Sequence, residues 1–251
     1  MFAEESATVL PSLRQRRRAV ATREIVDAAE RQIAEHGPHA LSLRAVARDL
    51  GMTVQGLYHY FPNRDALVTA LVTKAYDDLA DAVTAAVDAA ADEPAARRFL
   101  AATEGYRRWA VTHVERFQLL YGAPLRHYEA PDEGPTTQAM RRLSMVFQRE
   151  MFDGFTTAQL AAADTRALSP ALQAHLEPLF PHGLETLPPS AAALLLGTWG
   201  HMHGMVVLEA FGHTSFIGEH QAEIFRMAMR DLLEDIHRRI PTQSPGTPAA
   251  P

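Results

Sequence analysis

Apolar residues recur three and four positions apart along most of the chain, and no stretch shows the two-residue alternation of a half-buried strand. Ile25, Ala29 and Ile33 form one stripe of a first helix, which runs to about His36 before Gly37-Pro38. Ser42 can cap a second helix with Leu43, Val46, Ala47 and Leu50 on its inner face, stopped by Gly51. Thr53 caps a third, Val54 to Tyr60, stopped by Pro62-Asn63. Asn63 can cap a long connector helix that passes through Leu67, Leu71, Leu79 and Val83 to about Ala91. Pro94 suits the first turn of the next helix, and Phe99, Tyr106, Trp109, Phe117 and Tyr121 stud the stretch that follows.

Residues 122–135 read as a Pro- and Gly-containing loop. Thr137 to Gly154 form a helix with Met140, Leu143, Phe147 and Met151 on one face. Five prolines between 164 and 189 leave room only for short helices. Ser190 to Phe211 is apolar on every side and predicts a helix buried all round. Its length approaches that of a membrane span, but His201, His203, Glu209 and three glycines weigh against one. Gly197, Gly200 and Gly204 fall within about 60° of one another at 100° per residue, a flat strip where a helix can approach closely. A last helix, His220 to Ile240, carries Ile224, Met227, Ala228 and Leu232 at helical spacing. The expectation is an all-α protein of about nine helices.

Two short helices across a glycine turn make a helix-turn-helix, whose second helix is shaped to enter a DNA major groove. That helix presents Thr53, Gln55, Tyr58, His59 and Tyr60, all able to hydrogen-bond bases or phosphates. The same spacing also builds an ordinary helical hairpin, and spacing alone leaves the two readings open.

Charge separates them further. The net charge of −6 looks wrong for a DNA binder, but residues 11–64 hold nine arginines and five acids. The 187 residues that follow hold fifteen basic and twenty-three acidic residues. A basic head on an acidic body suits a protein that touches phosphate at one end. Arg14, Arg16, Arg17 and Arg18 form a basic run that is either a solvated helix start or an arm along phosphate or into the minor groove.

Other chemistry is thin. There is no cysteine among 251 residues, hence no disulfide and no thiolate. The N-terminal MFAEESATVL lacks a basic-then-apolar signal pattern, so a cytoplasmic protein is expected. His201 and His203 are two residues apart and point to opposite sides of a helix, so with His213 they make a poor metal site. No nucleophile elbow, phosphate loop or usefully spaced carboxylate pair is present, so no catalytic residue, cofactor or metal is expected.

The segments REIVDAAERQIAEHG and LSLRAVARDLGMTVQGLYHYFPNRDAL, contiguous from Arg23 to Leu67, resemble the tetracycline-repressor (TetR) family of transcriptional regulators. Farther on, YRRWAVTHVERFQLLYGAP and WGHMHGMVVLEAFGH are similar to the WHG-type ligand-binding domain of one branch of that family, with Trp199, His203 and Gly204 at its naming positions.

Polar residues 1–12, interrupted by Pro11, are expected to be a disordered arm and residues 241–251 a disordered tail. Between them the resemblance implies a DNA-binding domain at 13–64 and a ligand-binding and dimerisation domain at 65–240. It agrees with the residue chemistry on the DNA side. Arg44 can pair bidentately with guanine and Gln55 with adenine; Thr53 and Val54 could reach a base edge. Ser42, Arg17, Tyr58, His59, Tyr60 and Arg64 are the accompanying, largely phosphate-facing positions, and Arg64 stands where the family usually has a lysine.

For an apolar small-molecule pocket the implied residues are Tyr106, Trp109, Phe117, Tyr121, Phe147, Met151, Trp199, Met202 and His203. The partners implied are operator DNA, a largely apolar ligand, and a second copy of the chain through the helices at about 190–211 and 220–240, with no membrane. The function expected is a repressor released from its operator by ligand. A ligand-dependent activator, a protein-binding helical scaffold and an enzyme using His203 are the alternatives.

Overall fold

The computed structural model describes residues 12–122, 128, 133–178 and 187–242. The N-terminal arm lies outside them but for Ser12, the tail but for Pro241 and Thr242, and the loop at 122–135 in large part. The described residues form eleven α-helices and two 3-10 turns, without a strand, so the chain is all-α. The helices beyond the expected nine or so come from short pieces. Val114–Tyr121 is separated from the helix before it by a break at His113, and Thr157–Ala161 and Pro170–Leu176 fit between prolines and turns.

The chain divides into two compact units, Met1–Ala75 with Glu115–Thr137, and Tyr76–Val114 with Gln138–Pro251. In the first unit, α1 (Leu13–His36) starts with a reciprocal cap, in which Ser12 Oγ accepts Gln15 N–H and Gln15 Oε1 accepts Ser12 N–H. Arg14 to Arg18 are therefore helical rather than an extended arm. Gly37, at φ 78°, ends the helix.

The short helices α2 (Leu43–Asp49) and α3 (Val54–Tyr58) follow, capped by Ser42 and Thr53 as expected, with Gly51 at φ 63° between them. The third helix ends two residues earlier than the sequence predicts; His59 and Tyr60 belong to a turn. Asn63 Oδ1 accepts Ala66 N–H at 2.8 Å and caps α4 (Arg64–Asp88). Ile25, Ala29, Ile33, Val46, Leu57, Leu67 and Leu71 form this unit's core. Helix α6 (Val114–Tyr121) adds Phe117 to that unit, and Glu30 of α1 reaches both Lys74 of α4 (3.3 Å) and Arg116 of α6 (3.6 Å).

The second unit is built from the rest of α4, α5 (Ala95–Thr112), α7 (Pro135–Phe152), α8 (Thr157–Ala161), α9 (Pro170–Leu176), α10 (Pro189–Ala210) and α11 (Gln221–Arg239). Phe99, Tyr106, Leu143, Met151, Phe225 and Leu233 are buried in it. Gly105 allows α5 to meet α4 closely: a Cβ there would stand 2.8 Å from that of Ala86.

Three faces differ from expectation. On α7, Met140 points outward while Ala139, Leu143, Val146, Phe147 and Met151 are buried. On α11 the buried face is Phe225, Met229, Leu233 and Ile236, and the expected stripe residues Ile224 and Met227 are 42% and 55% exposed. And α10 is not buried all round: 39% of its most apolar window is, Leu196 and Leu208 are exposed, and a Cβ on Gly197, Gly200 or Gly204 would meet nothing within 4 Å. By length and composition α10 is apolar enough to cross a membrane. Both helices carry two apolar faces, and a single chain covers one of each. Periodicity reads apolar positions without saying which neighbour covers them.

Candidate functional site

Helix α3 is five residues long and buries one of them, Leu57, completely. The remaining side chains point at solvent or lie half-covered: Thr53, Gln55, Tyr58 and His59 are exposed, Val54 and Tyr60 intermediate. Thr53 Oγ1 accepts Gly56 N–H at 3.0 Å, so its oxygen stabilises the helix start while its O–H hydrogen can be donated outward. Arg44 is exposed near the start of α2, and Ser42 is half-buried as its cap. Arg64 opens α4, half-buried, and Arg17 is exposed on α1. The structure thus places Ser42, Arg44 and the α3 residues in one helix-turn-helix; Arg64 stands at the start of the following helix and Arg17 on the preceding one, all in the same unit.

Two side chains of α1 bond to this element: Gln32, which the sequence reading passed over, and Arg18, which it placed in the basic run. Gln32 of α1 is 8% exposed; its amide donates to Asp49 Oδ2 at 3.2 Å and its Oε1 accepts Ser42 N–H at 3.5 Å. One side chain therefore grips both ends of α2. A glutamine on the inward stripe of an amphipathic helix was the available signal, because a buried amide must find partners. Arg18 donates from Nη2 to the carbonyl of His59 at 3.0 Å.

The expected ligand residues divide between the units. Phe117 and Tyr121 lie in the first, with ring centroids 5.1 Å apart. The other seven lie in the second. There Tyr106, fully buried, meets Trp199 edge-on at 5.4 Å and Phe147 at 6.1 Å. Its hydroxyl and His203 Nδ1 are 2.8 Å apart, and His203 stacks on Trp199 one turn away at 5.0 Å and 11°. Trp109 stacks on His113 at 5.2 Å. Phe147, Met151 and Met202 are buried, while Trp199 and His203 are half-exposed.

Burial pushes the His203 imidazole below its ordinary pKa, because the charged form is poorly solvated there. The ring is neutral at pH 7 and pairs with the phenol in either tautomer.

Beside this cluster Arg107 of α5 reaches Glu209 of α10 with two nitrogens, one bond of 2.7 Å and a second, shorter one from Nη2 to Oε1. Glu104 stands 3.8 Å from Arg107 and 3.7 Å from Arg226, and one of its oxygens is buried without a hydrogen bond. Burial raises the Glu104 pKa, against the opposing pull of Arg107 and Arg226. Among the described residues, no three His, Asp or Glu side chains come together as metal ligands.

The comparisons with known proteins agree with a helix-turn-helix head joined to a helical body. Residues 25–71 match the model of the bacterial regulatory proteins of the tetR family, and residues 99–232 match the tetracyclin repressor-like C-terminal domain. The chain belongs to the TetR family.

It is 38% identical over 146 residues to the HTH-type transcriptional regulator Rv1816 of Mycobacterium tuberculosis, a match covering 58% of this chain and 62% of that protein. The chain thus spans less than two thirds of the length of these curated relatives. The crystal structure of the regulatory protein SCO4313 aligns over 89% of this chain and 100% of its own, with a TM-score of 0.68 and 32% identity. RolR, solved with resorcinol bound, shares the fold at a TM-score of 0.53 and 14% identity over 92% of this chain and 98% of its own.

Proposed function

We propose that this protein is a cytoplasmic, homodimeric transcriptional repressor that reads operator DNA through α3 and leaves it when a small molecule binds the second unit. The observation that carries this is α3 itself. It is a capped helix, anchored by Leu57 and offering Gln55 to solvent, set in the basic part of a TetR-family chain. Gln55 reads a base, Arg44 and Thr53 add base or phosphate contacts, and Tyr58, Tyr60 and Arg64 grip phosphates.

Gln55→Ala is therefore expected to weaken the preferred duplex by about 1–3 kcal/mol and to relax one base position. Selection from a random duplex pool with both proteins checks this; identical preferences would mean Gln55 does not read sequence.

The uncovered apolar faces of α10 (Leu196, Gly197, Gly200, Leu208) and α11 (Ile224, Met227) support pairing with a second copy of the chain. A four-helix interface of this kind buries α10 on the side that one chain leaves bare, which favours a soluble dimer over a membrane span. The dimer places two recognition helices on half-sites about 34–36 Å apart.

Ligand binding near Tyr106, Trp199 and His203 shifts the body to a state whose head spacing no longer matches the groove. Its effect is limited to its difference in affinity for the two states, typically about 1–3 kcal/mol. RolR's resorcinol makes small phenols the first compounds to screen. Trp199→Ala is expected to blunt the response to a releasing compound while leaving duplex affinity within about twofold, since Trp199 is far from the reading residues in sequence and belongs to the other unit. Equal loss of both would assign Trp199 to packing or dimerisation.

The enzymatic alternative has only His203 behind it, whose ring pairs with a buried phenol and stacks on an indole.

A further inference from the structure

The basic run on α1 presents four arginines to solvent, and one of them has a structural partner in the reading element. Arg18 Nη2 donates to the His59 carbonyl at 3.0 Å, and its guanidinium carbon stands 5.7 Å over the ring centroid of Tyr60. His59 is the C-terminal cap of α3, so the oxygen it offers is at the negative, unsatisfied end of the recognition helix. Arg18 and His59 are 41 residues apart in sequence, and this bond links the start of α1 to the far end of α3.

The geometry matters because α3 is so short. Its own buried anchor is the single side chain of Leu57. Phe61, three residues past the helix end and 6% exposed, is the next buried anchor, its N–H donating to the Leu57 carbonyl at 3.1 Å. Arg18 adds a polar hold on the carbonyl and ring that lie between these two anchors, which fixes the direction of the helix end. Bidentate reading of a base edge tolerates little rotation, so an unfixed helix would keep its phosphate grip and lose discrimination.

We infer that Arg18 is a positioning residue that fixes the angle of the recognition helix through His59 and Tyr60, rather than one more phosphate contact of the basic run. This rests on the proposed DNA reading by α3.

The test uses the full-length protein, a duplex it selects from a random pool, and a scrambled duplex of equal length, with affinity measured across a salt series. Arg18→Ala, which removes a carbonyl hydrogen bond and a cation–π contact at an exposed site, should weaken the selected duplex about fivefold. Binding to the scrambled duplex and the slope of log K against log salt should not change. Arg18→Lys keeps the charge but loses the planar fork, and should recover only part of the loss.

A phosphate contact would behave differently: equal loss on both duplexes, a slope shallower by about 0.9, and full rescue by lysine. That result, or no loss on either duplex, overturns the inference. Because Arg18 is exposed, the Ala variant should melt within 1–2 °C of the unmodified protein by about the usual scale of surface substitutions. An Ala variant that melts much lower would make the loss a folding effect and would also overturn it. Failure of the DNA reading itself shows separately, as an unmodified protein that selects no sequence.

Discussion

Leu57→Ala is expected to cost the first unit about 3 kcal/mol and to abolish specific duplex binding with it. Leu57 is completely buried and is the one such residue of α3, so its loss leaves a cavity under the helix as well as the lost transfer energy. A five-residue helix has no stability of its own, because nucleation alone is unfavourable at that length. Tertiary anchoring decides whether α3 exists. Urea denaturation gives the stability change, and binding to the selected duplex gives the functional one. A variant that loses less than about 1 kcal/mol and still binds would show that the caps at Ser42 and Thr53 and the grip of Arg18 suffice without a core anchor.

Arg107→Met should cost the second unit about 3 kcal/mol at neutral pH, because it strands a largely buried Glu209 and removes a counter-charge from Glu104. Arg107 and Glu209 are each 12% exposed, so water replaces little of what is lost. The penalty should shrink on acidification. Burial already raises the Glu104 pKa above the ordinary carboxylate range, and removing Arg107 raises it further. Between the unfolded and folded values the folded chain binds the extra proton, so folding gains stability as pH falls through that window. Urea melts at pH 7.5 and pH 5 check both parts. A small penalty with no pH dependence would mean that Arg226 alone neutralises the carboxylates.

What the sequence made legible follows from where the signal is local. Caps and stops are short-range chemistry, so Ser42, Gly51, Thr53 and Asn63 were readable, and each does in the structure what its type dictates. The end of α3 was not, because Tyr58 to Tyr60 are all compatible with a helix and the turn is settled by tertiary anchoring.

Side-chain partners far apart in sequence escaped altogether. Gln32 to Asp49 and Arg18 to His59 depend on how helices cross, and neither residue breaks a local rule. The inward face of α11 was misjudged because it is apolar on two sides, and only packing shows that Phe225, Met229, Leu233 and Ile236 take the core while Ile224 and Met227 do not. The same ambiguity made α10 look buried all round. The aromatic cluster of the second unit was legible in kind, as aromatics at helical spacing, but Phe117 and Tyr121 belong to the first unit, whereas Tyr106 and Trp199 belong to the second.

Two copies of this chain are expected to seat their α3 helices in successive major-groove faces of one duplex. Footprinting on the selected duplex, with the binding stoichiometry measured alongside, tests it most directly. The expected result is two protected half-sites centred about one helical turn apart, two chains per duplex, and an affinity that falls steeply with salt. A single protected patch bound by one chain, or an affinity indifferent to salt, would contradict it.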